Sequence, residues 1–151
     1  MLKIRKAKID DLKDVHKLVN EFARKGEMIP RALNELYEKM RDFFVVDDNG
    51  KISGVCALHI LWEDLAEIRS LAVRKEYQGK GIGSSLLTKA FKWLSNRNAI
   101  YVNVVEYNLN AINFYKNHGF METGKSGVFD RAATLPSGKT LPEIELVKSI
   151  S

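Results

Sequence analysis

Gln78-Gly79-Lys80-Gly81-Ile82-Gly83 is the stretch on which the reading of this chain turns. Before it runs Glu67-Ile68-Arg69-Ser70-Leu71-Ala72-Val73, which has the composition of a strand. After it, residues 82–94 place Ile82, Leu86, Leu87, Ala90, Phe91 and Leu94 at helical spacing. A glycine-rich turn that feeds a helix offers backbone N–H groups with no intrahelical partner, in a field that favours anions. Glycines there also let a bulky phosphorylated ligand approach the backbone closely. The turn alone is open to other readings. A Rossmann site needs Gly-x-Gly-x-x-Gly near the start of a βαβ unit, and a Walker loop ends in Gly-Lys-Ser/Thr. Neither matches, and the glycines could simply make a tight turn.

Outward from that turn, the chain alternates between strand and helix patterns. Residues 2–7 alternate like a first or edge strand. Asp10 or Asp11 then caps a helix carrying Leu12, Val15, Leu18, Val19 and Phe22, which ends at Gly26. Pro30 opens a shorter helix with Leu33, Leu36, Tyr37 and Met40 on one side. Residues 43–46 and 52–61 are strands around an Asp48-Asn49-Gly50 hairpin turn. A third strand covers 64–73 and completes a meander. Beyond the glycine turn and its helix come a β-branched strand over 100–105, a helix over 110–117 stopped by Gly119, a short strand over 120–123, a loop over 124–140 and a last strand over 144–147. This order describes one α+β domain over 1–151, with a mixed sheet flanked by helices.

The 151 residues suffice for one domain with its own core. The composition, 45% apolar and 28% charged, is that of an ordinary soluble protein, and the N-terminus lacks a signal peptide's apolar core, so a cytoplasmic location is expected. No apolar run is long enough for a membrane helix. A net charge of +5 is scattered along the chain and suits a polyanionic cofactor, an acidic substrate or solvated helix faces. It does not form the basic stripe that nucleic acid requires. The single Cys56 lies in an apolar run and reads as a core residue rather than a nucleophile. His16, His59 and His118 have no partners at metal-ligand spacing, so neither a metal site nor a catalytic histidine is expected.

The strand ending Leu71-Ala72-Val73, the linker, Gln78-x-x-Gly81-x-Gly83 and the amphipathic helix together resemble motif A of the GNAT superfamily of N-acetyltransferases. Downstream, Asn108-Leu109-Asn110-Ala111-Ile112-Asn113-Phe114-Tyr115 with Gly119-Phe120 resembles that superfamily's motif B. Both stand in the family's order and separation. The resemblance implies a three-layer α/β arrangement, a mostly antiparallel sheet whose motif A and motif B strands splay apart, and acetyl-CoA as co-substrate. It implies that the backbone of Leu71, Ala72 and Val73 pairs with the pantetheine arm, and that Gln78, Gly79, Lys80, Gly81, Ile82, Gly83 and Ser84 cradle the pyrophosphate. It also implies that Asn108 touches the cofactor and that Tyr115 is the acid for the departing thiolate. The family leaves a homodimer open.

Glu67 matches the general-base position of histone-type members; an ion pair with Arg69, on the same strand face, is the alternative. Asn103 stands where ribosomal-protein acetyltransferases carry a glutamate, and it cannot act as a base; Glu106 is nearby but points elsewhere in a simple strand. The segments 26–37, 41–44 and 61–70 are similar to short N-acetylglutamate synthases, which makes glutamate the leading acceptor and Arg31 and Arg69 candidate clamps on its carboxylates. Motif B and the tail from Leu135 to Glu145 are closer to generic amine acetyltransferases. Acetylation of a protein N-terminus, a lysine or another small amine stays open, as does a non-catalytic acyl-CoA sensor.

Overall fold

The computed structural model describes residues 2–28, 30–94, 99–105, 108–124, 133–134, 140–141 and 143–149. Strands are β1 (Leu2–Lys6), β2 (Phe43–Asp48), β3 (Lys51–Trp62), β4 (Leu65–Val73), β5 (Ala99–Val105), β6 (Met121–Glu122), β7 (Ala133–Thr134), β8 (Thr140–Leu141) and β9 (Glu143–Ser149). Helices are α1 (Leu12–Arg24), α2 (Leu33–Glu38), α3 (Ile82–Trp93) and α4 (Leu109–Asn117). The main sheet has the order β1-β2-β3-β4-β5-β9-β6. Every neighbouring pair in it is antiparallel except β4–β5. Glu106 lies outside the described residues, as does most of the expected loop over 124–140. Within that loop Ala133–Thr134 and Thr140–Leu141 pair as a short antiparallel ladder.

The sheet carries a hydrophobic layer on each face. Phe44, Val46, Cys56, Leu58, Ala66 and Ile68 pack with Leu86, Leu87, Ala90 and Ile112 of α3 and α4. Val45, Val55 and Ala57 pack with Val15, Leu18, Val19 and Leu36 of α1 and α2. This is why β2 and β3 read as nearly continuous apolar runs: alternate residues feed opposite layers. The β2–β3 turn has Asn49 at φ 51° and Gly50 at φ 95°, the two positive values a two-residue hairpin needs. The second helix is shorter than its apolar spacing suggests. Helix α2 stops at Glu38, Met40 falls in a 3-10 turn, and Tyr37 is 41% exposed. The expected cap of α1 also differs, because Asp11 accepts from the Lys8 N–H at 2.7 Å and from Arg5.

Two irregularities place the site. The parallel β4–β5 pairing runs only from Leu65↔Ala99 to Ile68↔Val102, after which β5 continues along β9 alone. The two strands therefore part at Ile68. Just beyond, Val55 faces Ala72 while Ala57 faces Arg69, so three steps on β4 oppose two on β3. The extra residue is Ser70, held at φ 55°. The bulge reverses the side-chain phase of β4. Ala66 and Ile68 face the α3–α4 layer, whereas Ala72, which an unbroken strand would put on that same face, packs in the α1–α2 layer.

Candidate active site

The opened edge of β4 borders a cleft of about 620 Å³. Leu71, Ala72 and Val73 form one wall, Gln78, Gly79, Gly81, Ile82, Gly83 and Ser84 its floor, and Asn108 and Tyr115 the opposite wall. Phe22, Lys25 and Met28 close it from the α1 side. The cofactor residues expected from the sequence thus come together around one cleft, with Lys80 as the exception; its ammonium lies 5.5 Å from the centre of the Tyr77 ring.

Local chemistry explains the floor. Gly79 and Gly81 both sit at φ 78°, a conformation that costs an L side chain roughly 1–2 kcal/mol and glycine almost nothing. Gly81 is the residue that starts α3, and the first helical N–H bond is Ser85 to the Gly81 carbonyl. The N–H groups of Ile82, Gly83 and Ser84 are therefore left for a ligand. The Gln78 side chain donates to the Val73 carbonyl at 2.9 Å and ties the strand end to the turn. A Cβ on Gly83 would lie 3.4 Å from the Phe114 ring, so α3 and α4 approach closely beside the cleft.

On the opposite wall, Asn108 caps α4: its Oδ1 accepts from the Ala111 N–H at 3.2 Å, and its Nδ2 donates to the Glu27 carbonyl at 3.3 Å. That second bond links the loop after α1 to α4 across the cleft. Tyr115 is buried, with its ring set edge-on to Phe114 and to Phe120 at 5.3 Å each. Burial, and to a lesser degree the neighbouring Cys56, holds the phenol well above its usual range. Its hydroxyl has no partner among the described residues. Burial also pushes the Cys56 thiol up to about 12, which removes it as a nucleophile.

On the α1–α2 face, Glu67 is buried between two partners. One carboxylate oxygen takes the Arg69 Nε–H, and the other accepts from Asn103 Nδ2 at 2.5 Å. A carboxylate can only accept, so the amide nitrogen of Asn103 must face it, and the Asn103 Oδ1 is then buried without a donor among the described residues. The sequence-level alternative of a Glu67–Arg69 ion pair is thus present, and Asn103 proves to be a positioning partner of that carboxylate. His59, in register with Glu67, bonds Asp42 at 2.9 Å. Arg31 and Arg69 line one small hollow together with Ser70, Glu35, Lys39 and Asp42. Arg31 holds Glu35 through Nη1 at 3.1 Å, and Asn20 brackets the Arg31 backbone with bonds at its N–H and carbonyl. Among the described residues no group of three His, Cys, Asp or Glu side chains could hold a metal, and no helix is long and apolar enough to cross a membrane.

The model of the acetyltransferase (GNAT) family matches residues 11–120. The chain belongs to that family. This GNAT chain is 33% identical to an uncharacterized N-acetyltransferase of Chlorobaculum tepidum, over 97% of its own length and 96% of the relative's. It is also 33% identical to an amino-acid acetyltransferase of Mycobacterium tuberculosis, over 79% of its own length and 68% of the relative's. Among solved structures, a Mycobacterium tuberculosis protein in complex with CoA and a second ligand superposes with a TM-score of 0.80 at 27% identity, covering 99% of both chains. The N-acetylglutamate synthase of Neisseria gonorrhoeae, complexed with coenzyme A and N-acetyl-glutamate, gives a TM-score of 0.79 at 18% identity. That likeness is one of fold, and this chain spans 35% of the synthase's length.

The parting of β4 and β5 beyond Ile68 is the splay that the resemblance to GNAT enzymes implied. The sequence announced the glycine floor and both motif walls, but it carried no sign of the bulge at Ser70, where no glycine stands. It also hid the Glu67–Asn103 bond, whose partners are 36 residues apart.

Proposed function

We propose that this GNAT N-acetyltransferase transfers the acetyl group of acetyl-CoA to the α-amine of an amino acid, with L-glutamate the leading acceptor. Acetyl-CoA is the co-substrate: the thioester end enters where β4 and β5 part, and the diphosphate sits on the free N–H groups at the start of α3. The observation behind the acceptor reading is that Arg31 and Arg69, far apart in the chain, line one hollow beside the bulge. At about 10 Å³ it holds little more than a water, so the acceptor carboxylate would sit at its rim, in exchange for the contacts of Arg31 with Glu35 and Arg69 with Glu67. Guanidinium groups suit carboxylates because they offer paired donors in a fixed plane. Amino-acid acetyltransferases among the relatives support the same class.

The chemistry follows from the residues. The acceptor ammonium loses a proton to Glu67, directly or through a water, and the amine nitrogen attacks the thioester carbonyl carbon. Backbone N–H groups at Leu71 or Val73 stabilise the oxyanion. The tetrahedral intermediate collapses with cleavage of the C–S bond, the Tyr115 phenol gives its proton to the sulfur, and the second proton leaving the amide nitrogen restores the phenol, directly or through a water. Because burial keeps that phenol protonated, the acid is in the required state throughout the neutral range.

Turnover tests the reading. Free CoA release from acetyl-CoA is followed with a panel of amino acids, simple amines and peptides. Glutamate or a close analogue should give the highest kcat/KM, and N-acetyl-glutamate should be the product. Turnover confined to peptides would transfer the chain to protein acetylation. Tight acetyl-CoA binding with no turnover on any amine would make it a binding domain.

A further inference from the structure

His118, which follows the last residue of α4, reaches across to the floor of the cleft. Its Nδ1 lies 2.8 Å from the Phe114 carbonyl oxygen, and its Nε2 lies 3.0 Å from Ser84 Oγ. Ser84 stands in the first turn of α3 and lines the cleft. The imidazole also packs on the Phe114 ring, with centroids 4.5 Å apart. We propose that His118 is a positioning residue for the diphosphate, acting through the direction of the Ser84 hydroxyl proton. This rests on the reading of the cleft as the acetyl-CoA site.

The Phe114 carbonyl can only accept, so Nδ1 carries a proton in either charge state of the ring. All variation therefore falls on Nε2. In the neutral ring Nε2 is bare and accepts the Ser84 proton, which turns the hydroxyl's lone pairs toward the cleft. In the imidazolium Nε2–H donates to Oγ, and the Ser84 proton is released toward an anion. The second state adds one O–H donor to the N–H groups at the helix start, and it places a positive charge one hydroxyl away from the diphosphate. Charged groups near the ring come from its own helix and from β9 and β6. Lys148 of β9 donates to the His118 carbonyl at 2.8 Å, and Lys116 of α4 is paired with Glu122 of β6 at 2.6 Å. From α3 the contact is Ser84.

A diphosphate that prefers the imidazolium state must, by linkage, bind more tightly as the ring takes up its proton. Dephospho-CoA is the suitable probe, because it lacks the phosphate monoester that itself titrates near pH 6. Its Kd is measured by calorimetry between pH 5.5 and 8.0 for the wild type, His118→Gln and Ser84→Ala. In the wild type, Kd should rise with pH by up to about fivefold, the size of a charge–anion interaction at a helix end. Two buffers of different ionisation enthalpy should report net proton uptake on binding. Both variants should lose the slope and the uptake. Ser84→Ala changes only a hydroxyl and keeps the test valid if His118→Gln destabilises the fold. A flat wild-type profile overturns the proposal, as does an unchanged slope in either variant or an equal loss of affinity at every pH. Failure of the wild type to bind either dephospho-CoA or acetyl-CoA would instead overturn the cleft assignment, and the relay with it.

Discussion

Ser70 pays a conformational penalty that the fold imposes, and replacing it should reveal the size of that penalty. An L residue at φ 55° costs roughly 1–2 kcal/mol relative to right-handed backbone. Glycine would remove that cost in the folded state. It would return about 0.4–1 kcal/mol by loosening the unfolded chain. No hydrogen bond of the Ser70 side chain is lost among the described residues, so Ser70→Gly should stabilise the protein by about 0.5–1 kcal/mol. For a domain of this size that corresponds to a rise in Tm of about 1–4 °C. Ser70→Val moves the other way, because a β-branched side chain in this region is a severe outlier, and the loss should be on the order of 1–3 kcal/mol. Urea unfolding at neutral pH measures both, and acetyl-CoA affinity should stay within about twofold in the glycine variant, since the bulge itself is kept. If Ser70→Gly is less stable than wild type by more than about 1 kcal/mol, or Ser70→Val is as stable as wild type, the bulge is not held by strand pairing against a backbone penalty.

Two further outcomes follow from the site and its frame. Tyr115→Phe should lower kcat by roughly 10²–10⁴, and the wild-type pH–rate profile should show no falling limb from the phenol below about pH 10, because burial raises it; full activity in the variant would refute the acid role. Asp11 receives the Arg5 guanidinium at 2.7 and 2.9 Å, and that bond chiefly holds its carboxyl below the usual range. A carboxyl depressed by folding stabilises above its unfolded pKa of about 3.9 and loses that stabilisation as pH falls through the lower folded value. Asp11→Asn should therefore cost about 1.5–3 kcal/mol at pH 7, with the difference from wild type shrinking in acid; a pH-independent difference would contradict the assignment.

What could be read from the sequence followed from how local each determinant is. The glycine floor and the α3 stripe depend on neighbours within a turn or two, and both were legible; the Asn108 cap was not, since the helix was expected to begin at residue 110 and it begins at Leu109. Helix α2 was over-extended because Tyr37 and Met40 continue an apolar spacing that tertiary packing does not use: Leu36 is buried and Tyr37 faces solvent. The bulge at Ser70 depends on how β3 and β4 align, which no residue type at that position announces. The contact of His118 with Ser84 has no signal in the sequence, because the two are 34 positions apart and only the close approach of α3 and α4 brings them together. The Glu67–Arg69 pair was foreseeable from strand periodicity, whereas the Asn103 bond needed the β4–β5 pairing.

Arg31→Gln probes the proposed acceptor site most directly. Arg31 lies outside the lining of the cleft proposed for acetyl-CoA, so the two sites can be tested separately. Loss of a charge-assisted contact to a carboxylate of roughly 1.5–3 kcal/mol should raise the KM for glutamate by about 10–150-fold while acetyl-CoA binds as before. An unchanged KM for glutamate, or a KM that rises only together with the Kd for acetyl-CoA, would contradict an arginine-lined amino-acid site.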